Sequence, residues 1–268
     1  MRARTILAAA ALGIAAAGPA FADLAEIKKR GELIAATSGN LPPNTYMNEK
    51  NELTGYDIEV CRHIAKTIGV KVTFERLDWK GVLPGVQTGR FDMACSNVNI
   101  TDERKGIFDY SIPYSRAAVV PVVRKGVANI ASFKNLKGRN VGAITGGNDG
   151  EIPARAIEKE FGAFASFKGY PGYAEMFADM RTGRLDAIIA PDLAAADYIK
   201  KFPGEASFSG DPYQVRYVGL PMTKGSPQLK AAIDAAINKA RTDGTLDKLA
   251  DQFFGIKAFS KQLVDKVP

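Results

Sequence analysis

The chain has 268 residues, 46% of them hydrophobic and 24% charged, with a formal net charge of +7. No basic tract interleaved with aromatics accompanies that surplus, which therefore reads as scattered solvated charge able to steer anions and not as a nucleic-acid face. After the first 22 residues no long apolar run recurs, which argues against a sensor or channel embedded in a membrane.

The N-terminus itself, MRAR followed by TILAAAALGIAAAGPAFA, has a basic n-region, an apolar h-region and an Ala20-Phe21-Ala22 cleavage site. It predicts a secretory signal peptide over residues 1–22, and with no cysteine after the cut no lipid anchor is expected. The mature product is expected to be soluble and periplasmic. Its 246 residues suit two lobes of roughly 100 residues each, and losing Arg2 and Arg4 lowers the net charge to +5.

Residues 23–30 read as a short helix broken by Gly31, and residues 32–37 as a buried strand. A Gly/Pro loop, residues 38–44, sits at its carboxyl end, where ligands of open α/β sheets gather. Residues 46–54 suggest a hairpin with its turn at 49–51. Over residues 55–69, Ile58, Cys61, Ile64, Ala65 and Ile68 recur at three and four, the pattern of one helix face. His63, the sole histidine, falls off that stripe and is read as solvent-facing, with no partner that would make it a catalyst. A strand over 71–77 leads to Trp79 on a loop, a helix over 82–88 and a strand over 91–95.

Residues 96–114, SNVNITDERKGIFDYSIPY, then open with small polar side chains. Thr101-Asp102-Glu103-Arg104 reads as a hydroxyl-capped helix start. A guanidinium beside free backbone N–H groups is a ready carboxylate clamp. The plainer alternative pairs Arg104 with Asp102 or Glu103 at the surface. Cys61 and Cys95 match no metal spacing. An oxidising compartment permits a bridge, but two buried thiols are the expected state.

Further on, residues 119–124 form a β-rich run fit to cross between lobes. A strand over 140–144 feeds a glycine-rich turn and helix over 145–161, whose N–H groups would face a cleft without forming a dinucleotide fingerprint. Strand 164–170, helix 173–182, strand 185–190 and helix 193–201, opened by Pro191-Asp192, follow. Residues 213–223 return the chain, and helices over 227–243 and 245–254 close it. One exit and one return make a two-strand hinge, which permits one lobe to shut on the other.

The central segment, with GYDIEVCRHIAKTIG (55–69), LPGVQTGRFD (83–92) and ARTDGTLDKLADQFFG (240–255), resembles the family 3 periplasmic solute-binding proteins, the amino-acid receptors of ABC importers. The resemblance covers essentially the whole mature chain. It implies an α/β, two-lobed periplasmic-binding-protein (Venus-flytrap, type II) fold, each lobe a mixed sheet flanked by helices and joined by two crossover strands. Lobe one would comprise residues 23–118 and 218–268, and lobe two residues 119–217.

By the same resemblance Arg104 takes a ligand carboxylate, with Asn97 and Asn99 offering small polar groups beside it. Trp79 falls where a ligand-contacting aromatic usually sits, the alternative being core packing. Leu41 and Asn44 stand where the family places aromatics, and Gly147 and Asn148 head the lobe-two turn. The family's amino-group acid position is Pro191, with Asp192 one residue later. Either Asp192 reaches the cleft, or Asp149 or Glu151 supplies the charge, or the ligand lacks an α-ammonium and Asp192 caps the next helix. The implied function is capture of a small carboxylated solute, without catalysis, cofactor or metal, by a monomer working with an inner-membrane permease and its ATPase. The rivals are a cyclohexadienyl dehydratase-like enzyme on the same scaffold and a receptor for a carboxylate lacking the amine.

Overall fold

A computed structural model describes residues 24–145, 150–256 and 259–263. The signal-peptide reading, and with it Gly147, Asn148 and Asp149, lies outside the described residues. After α1 (Leu24–Arg30), β1 (Glu32–Thr37) runs into an antiparallel excursion of β2 (Asn40–Leu41), β3 (Thr45–Met47) and β4 (Leu53–Thr54). Then come α2 (Tyr56–Ile68), β5 (Lys71–Arg76), α3 (Trp79–Gln87), β6 (Met93–Ala94), α4 (Asp102–Ile107) and β7 (Phe108–Tyr110). The long β8 (Ser115–Arg124) precedes β9 (Asn140–Ile144), α5 (Glu151–Phe161), β10 (Ser166–Tyr170), α6 (Tyr173–Arg181), β11 (Ala187–Pro191), α7 (Asp192–Lys201), β12 (Ala206–Phe208) and β13 (Tyr213–Val218). The chain ends its regular structure with β14 (Pro221–Thr223), α8 (Pro227–Thr242) and α9 (Thr245–Phe254).

Two mixed sheets result, which is the two-lobed α/β fold expected. One has the order β5-β1-β6-β14-β7, the other β10-β9-β11-β8-β12 with β13 also on β8. Strands β8 and β13 pair antiparallel from Ser115↔Val218 to Tyr213↔Val119, so both crossings of the chain run side by side. Strand β8 therefore starts four residues before the run at 119 read from sequence: residues 115–118 are as deeply buried as those that follow.

The first sheet is covered on one face by α2, α8 and α9. The apolar stripe of α8, Leu229, Ile233, Ala236, Ile237 and Ala240, is wholly buried there, as its spacing requires. Leu193, from the first turn of α7, joins this same core beside Phe254 and Phe259, so the second half of the fold is anchored in the first. Gly55 permits a close approach that positions the β2–β4 excursion. Its φ is +124°, and a Cβ there would lie 2.3 Å from the Asn44 carbonyl.

Contrary to the expected thiols, Cys61 and Cys95 form a disulfide between α2 and the residue that follows β6. The two sequence segments carry no mark of their meeting; only the packing of α2 over β1 and β6 brings their Cα atoms to 6.6 Å. The bridge closes a 34-residue loop. Cys61→Ser with Cys95→Ser should lower stability in urea by about 3–4 kcal/mol, on the loop-entropy argument. An unchanged midpoint would show the packing alone sets that geometry.

Candidate functional site

Parallel pairing aligns the carboxyl ends of β5, β1 and β6, and likewise those of β10, β9 and β11. The first row carries Trp79, the 38–44 loop and residues 96–104; the second carries Tyr173 and Asp192. Sequence-distant residues thus collect along two edges, the place where open α/β sheets bind ligands.

Arg104 lies in the first turns of α4. The Thr101 hydroxyl caps this helix by accepting from the Arg104 backbone N–H at 3.3 Å, as the sequence predicts. The guanidinium donates through Nη1 to the Asn99 carbonyl at 3.1 Å. It forms no ion pair with Asp102 or Glu103 among the described residues; Asp102 instead accepts from Lys105 at 3.1 Å. The neighbouring Tyr110 hydroxyl also donates to the Asn99 carbonyl, at 3.4 Å. Burial pushes its phenol up to about 12, with Arg104 pulling the other way. The geometry leaves a half-buried guanidinium held by a neutral carbonyl, with its charge uncompensated by a carboxylate. Tyr110 was missed in the sequence because it lies six residues away on a strand that doubles back.

Trp79 opens α3 instead of standing on a loop, and the residue is 40% exposed, so the core-packing alternative is excluded. Leu41, 43% exposed in β2, is the second large apolar side chain on this edge. Asn99 bridges to Val218 of β13, so the polar segment beside Arg104 touches a crossing strand directly. Asn97 adopts φ +51° and its Oδ1 is buried without a partner. Asn44 is enclosed, only 6% exposed, where the aromatic it replaces was expected to meet ligand; its carbonyl accepts the Asp57 N–H at 2.9 Å, which draws the residue inward. His63 is half-buried with its Nε2 enclosed, in place of the solvent-facing position expected, because α2 is covered on more than its apolar stripe.

Asp192 is 4% exposed and does not open to solvent. It is the first residue of α7, after Pro191 at the cap position, and pairs with Arg116 of β8. Its Oδ1 also accepts from the Ala118 N–H at 3.1 Å and the Leu193 N–H at 2.9 Å. Burial raises its carboxyl above the usual range while Arg116 and the two amides oppose that rise. The cap residue of α7 is Pro191, not Asp192, and the main partner of Asp192 is a guanidinium the sequence did not single out. Arg116→Ala strands a buried carboxylate and should cost about 3–5 kcal/mol in denaturant. Arg116→Met with Asp192→Leu should cost less than either single change; additive losses would mean the two are not coupled.

A second buried acid lies under the 38–44 loop. Asp57, in the first turn of α2, is fully enclosed and neither carboxyl oxygen has a partner at hydrogen-bond geometry. Burial lifts its pKa to about 7, although the Tyr114 hydroxyl and the Asn97 amide are near enough to pull it down. No helix among the described residues is long and apolar enough to cross a membrane.

Two lobes, paired crossing strands and a poised cation at the sheet edge define a hinged binding protein. Residues 33–256 match the family of bacterial extracellular solute-binding proteins, family 3, and the chain belongs to it. It is 31% identical over 239 residues to the L-cystine-binding protein TcyJ of Escherichia coli, covering 88% of each chain. Its structure resembles that of the L-cystine solute receptor of Neisseria gonorrhoeae in the unliganded open conformation, with TM-score 0.78 at 33% identity over 89% of this chain and 98% of that chain. It also resembles an ancestral arginine-binding protein bound to arginine, with TM-score 0.60 at 33% identity over 84% of this chain and 99% of that chain.

Proposed function

We propose that this chain is the periplasmic receptor of an ABC importer for an amino acid or amino-acid-like carboxylate. Arg104, held by the neutral Asn99 carbonyl and paired to no carboxylate among the described residues, is the observation that carries the reading. The ligand carboxylate would complete that guanidinium, and Trp79 and Leu41 would cover the side chain. Residues 23–118 with 218–268 form the fixed lobe in this reading, and residues 119–217 the lobe that swings about β8 and β13. The higher similarity to an open receptor than to an arginine-bound one, at equal identity, supports an open disposition here.

Capture then takes two stages. The solute docks on the first lobe, and the second closes over it. Turning a mostly open population into a mostly closed one requires about 5 kcal/mol of differential binding. A micromolar receptor has about 8 kcal/mol in total, so both lobes must contact the ligand. The closed monomer is read by an inner-membrane permease with its ATPase, after export and cleavage behind Ala22. The receptor turns nothing over: Asp192, one of the acids a dehydratase could use, is occupied by Arg116.

A thermal-shift screen of the amino acids, L-cystine and amine-free carboxylates tests this, followed by scattering with the best binder. A raised melting temperature with a smaller radius of gyration is expected, and no conversion of prephenate or arogenate. Stabilisation by none of the carboxylates, or an unchanged envelope at saturation, would overturn it.

A further inference from the structure

Arg76 is the last residue of β5 and belongs to the same row of strand ends as the Arg104 segment, with β1 between them. Its Cα pairs with Thr37 of β1, immediately before the 38–44 loop. At Gly39 that loop depends on a bare backbone. The glycine has φ +62°, and a Cβ there would lie 2.6 Å from Arg76 Cδ and 2.9 Å from Cγ. The arginine stem therefore lies against the loop, which leads the side chain over the ligand edge. Its head is idle. Arg76 is exposed and makes no hydrogen bond or ion pair among the described residues, although Glu75 and Asp78 flank it in sequence.

Two guanidinium groups without a carboxylate thus share one edge, Arg76 and Arg104. Neighbouring strands lie about 4.8 Å apart, so β5 and β6, on either side of β1, are about 10 Å apart. Long side chains leaving strands at that separation reach the two ends of one small solute. Acids that would favour a cationic end are committed elsewhere: Asp192 is paired with Arg116, and Asp57 is fully enclosed. A guanidinium fork matches the two oxygens of a carboxylate, an amide presents it one oxygen, and an ammonium repels it.

We propose that Arg76 is a specificity-determining residue that takes a second carboxylate, at the end of the solute remote from Arg104. This rests on the receptor reading above and narrows it to amino acids bearing two carboxylates. Trp79, three residues after Arg76 and exposed on the same edge, covers the chain between the two charged ends.

Calorimetry on the full mature chain with matched solutes tests it. The pairs are L-glutamate with L-glutamine, L-2-aminoadipate with L-lysine, and L-cystine with the cysteine–cysteamine mixed disulfide; each differs in the second carboxylate. In at least one pair the dicarboxylate is expected to bind about ten-fold tighter or more. Arg76→Gln, which keeps most of the stem, should bring that ratio to about two-fold or less, and Arg76→Lys should restore part of it. The side chain is exposed and makes no hydrogen bond, so both variants should keep the wild-type melting temperature. A partner lacking the second carboxylate that binds as tightly in every pair, a ratio that survives Arg76→Gln, or binding of monocarboxylates alone would each overturn this inference and leave the receptor reading standing. Binding of no carboxylate at all would overturn both.

Discussion

Arg104→Ala is expected to remove ligand-induced thermal stabilisation altogether while leaving the melting temperature of the empty protein nearly unchanged. The guanidinium is half-buried, donates to the Asn99 backbone carbonyl and carries no ion pair among the described residues, so little folding free energy depends on it. In the closed complex the same removal would leave carboxylate oxygens desolvated and unpaired. Hydrogen bonds to charged groups are worth about 1.5–3 kcal/mol each, and a fork lost entirely removes two. That is a loss of affinity of about a hundred-fold or more, enough to erase a shift measured at ligand concentrations near a hundred times Kd. Arg104→Lys should recover only part, since an ammonium cannot reproduce the two-pronged geometry. Calorimetry with the best ligand from the screen decides it. Retained micromolar binding in Arg104→Ala would remove this residue from the site.

The second large effect concerns Asp57. An aspartate ionises near pH 4 in an unfolded chain, whereas burial holds this one near 7. The folded state therefore binds the proton more tightly, and its stabilising contribution is complete below about pH 4. It is lost as pH rises through about 7. Three pH units correspond to about 4 kcal/mol, a sizeable share of a domain's total stability. The positive end of α2 works in the opposite direction, but a helix terminus contributes only about 0.3–1 kcal/mol in most settings and does not reverse the sign. Asp57→Asn keeps the shape and cannot ionise. Unfolding free energies of the two proteins should diverge between pH 4 and pH 7 and then run parallel. Asp92 and Asp192 are also raised by burial, so wild type alone is not diagnostic; the difference curve is. Identical pH profiles would mean the carboxyl is solvated or bonded in solution.

Asp57 matters for the site because of where it stands. It shares the floor of the 38–44 loop with Asn44, and faces Tyr114, the residue before β8, and Asn97, in the Arg104 segment. Adding charge there would disturb the hinge entrance and the polar edge together.

What the amino-acid order determined was whatever depends on local periodicity and on chemistry within a few residues. The α8 stripe, the Thr101 cap and the return of the chain after one excursion follow from spacing and turn residues alone. The motifs around residues 55–69 and 83–92 located the family for the same reason. Pairing across the fold was a different matter. Cys61 meeting Cys95, Arg116 taking Asp192, Tyr110 beside Arg104 and the enclosure of Asp57 each join residues that local patterns leave unrelated. Trp79 shows the boundary well: its type suggested either core or cleft, and only the packing of α3 against β6 and β14 left its ring outside. Burial and charge pairing are properties of the assembled layers, because a side chain's neighbours are set by strand order and helix docking and not by its position along the chain.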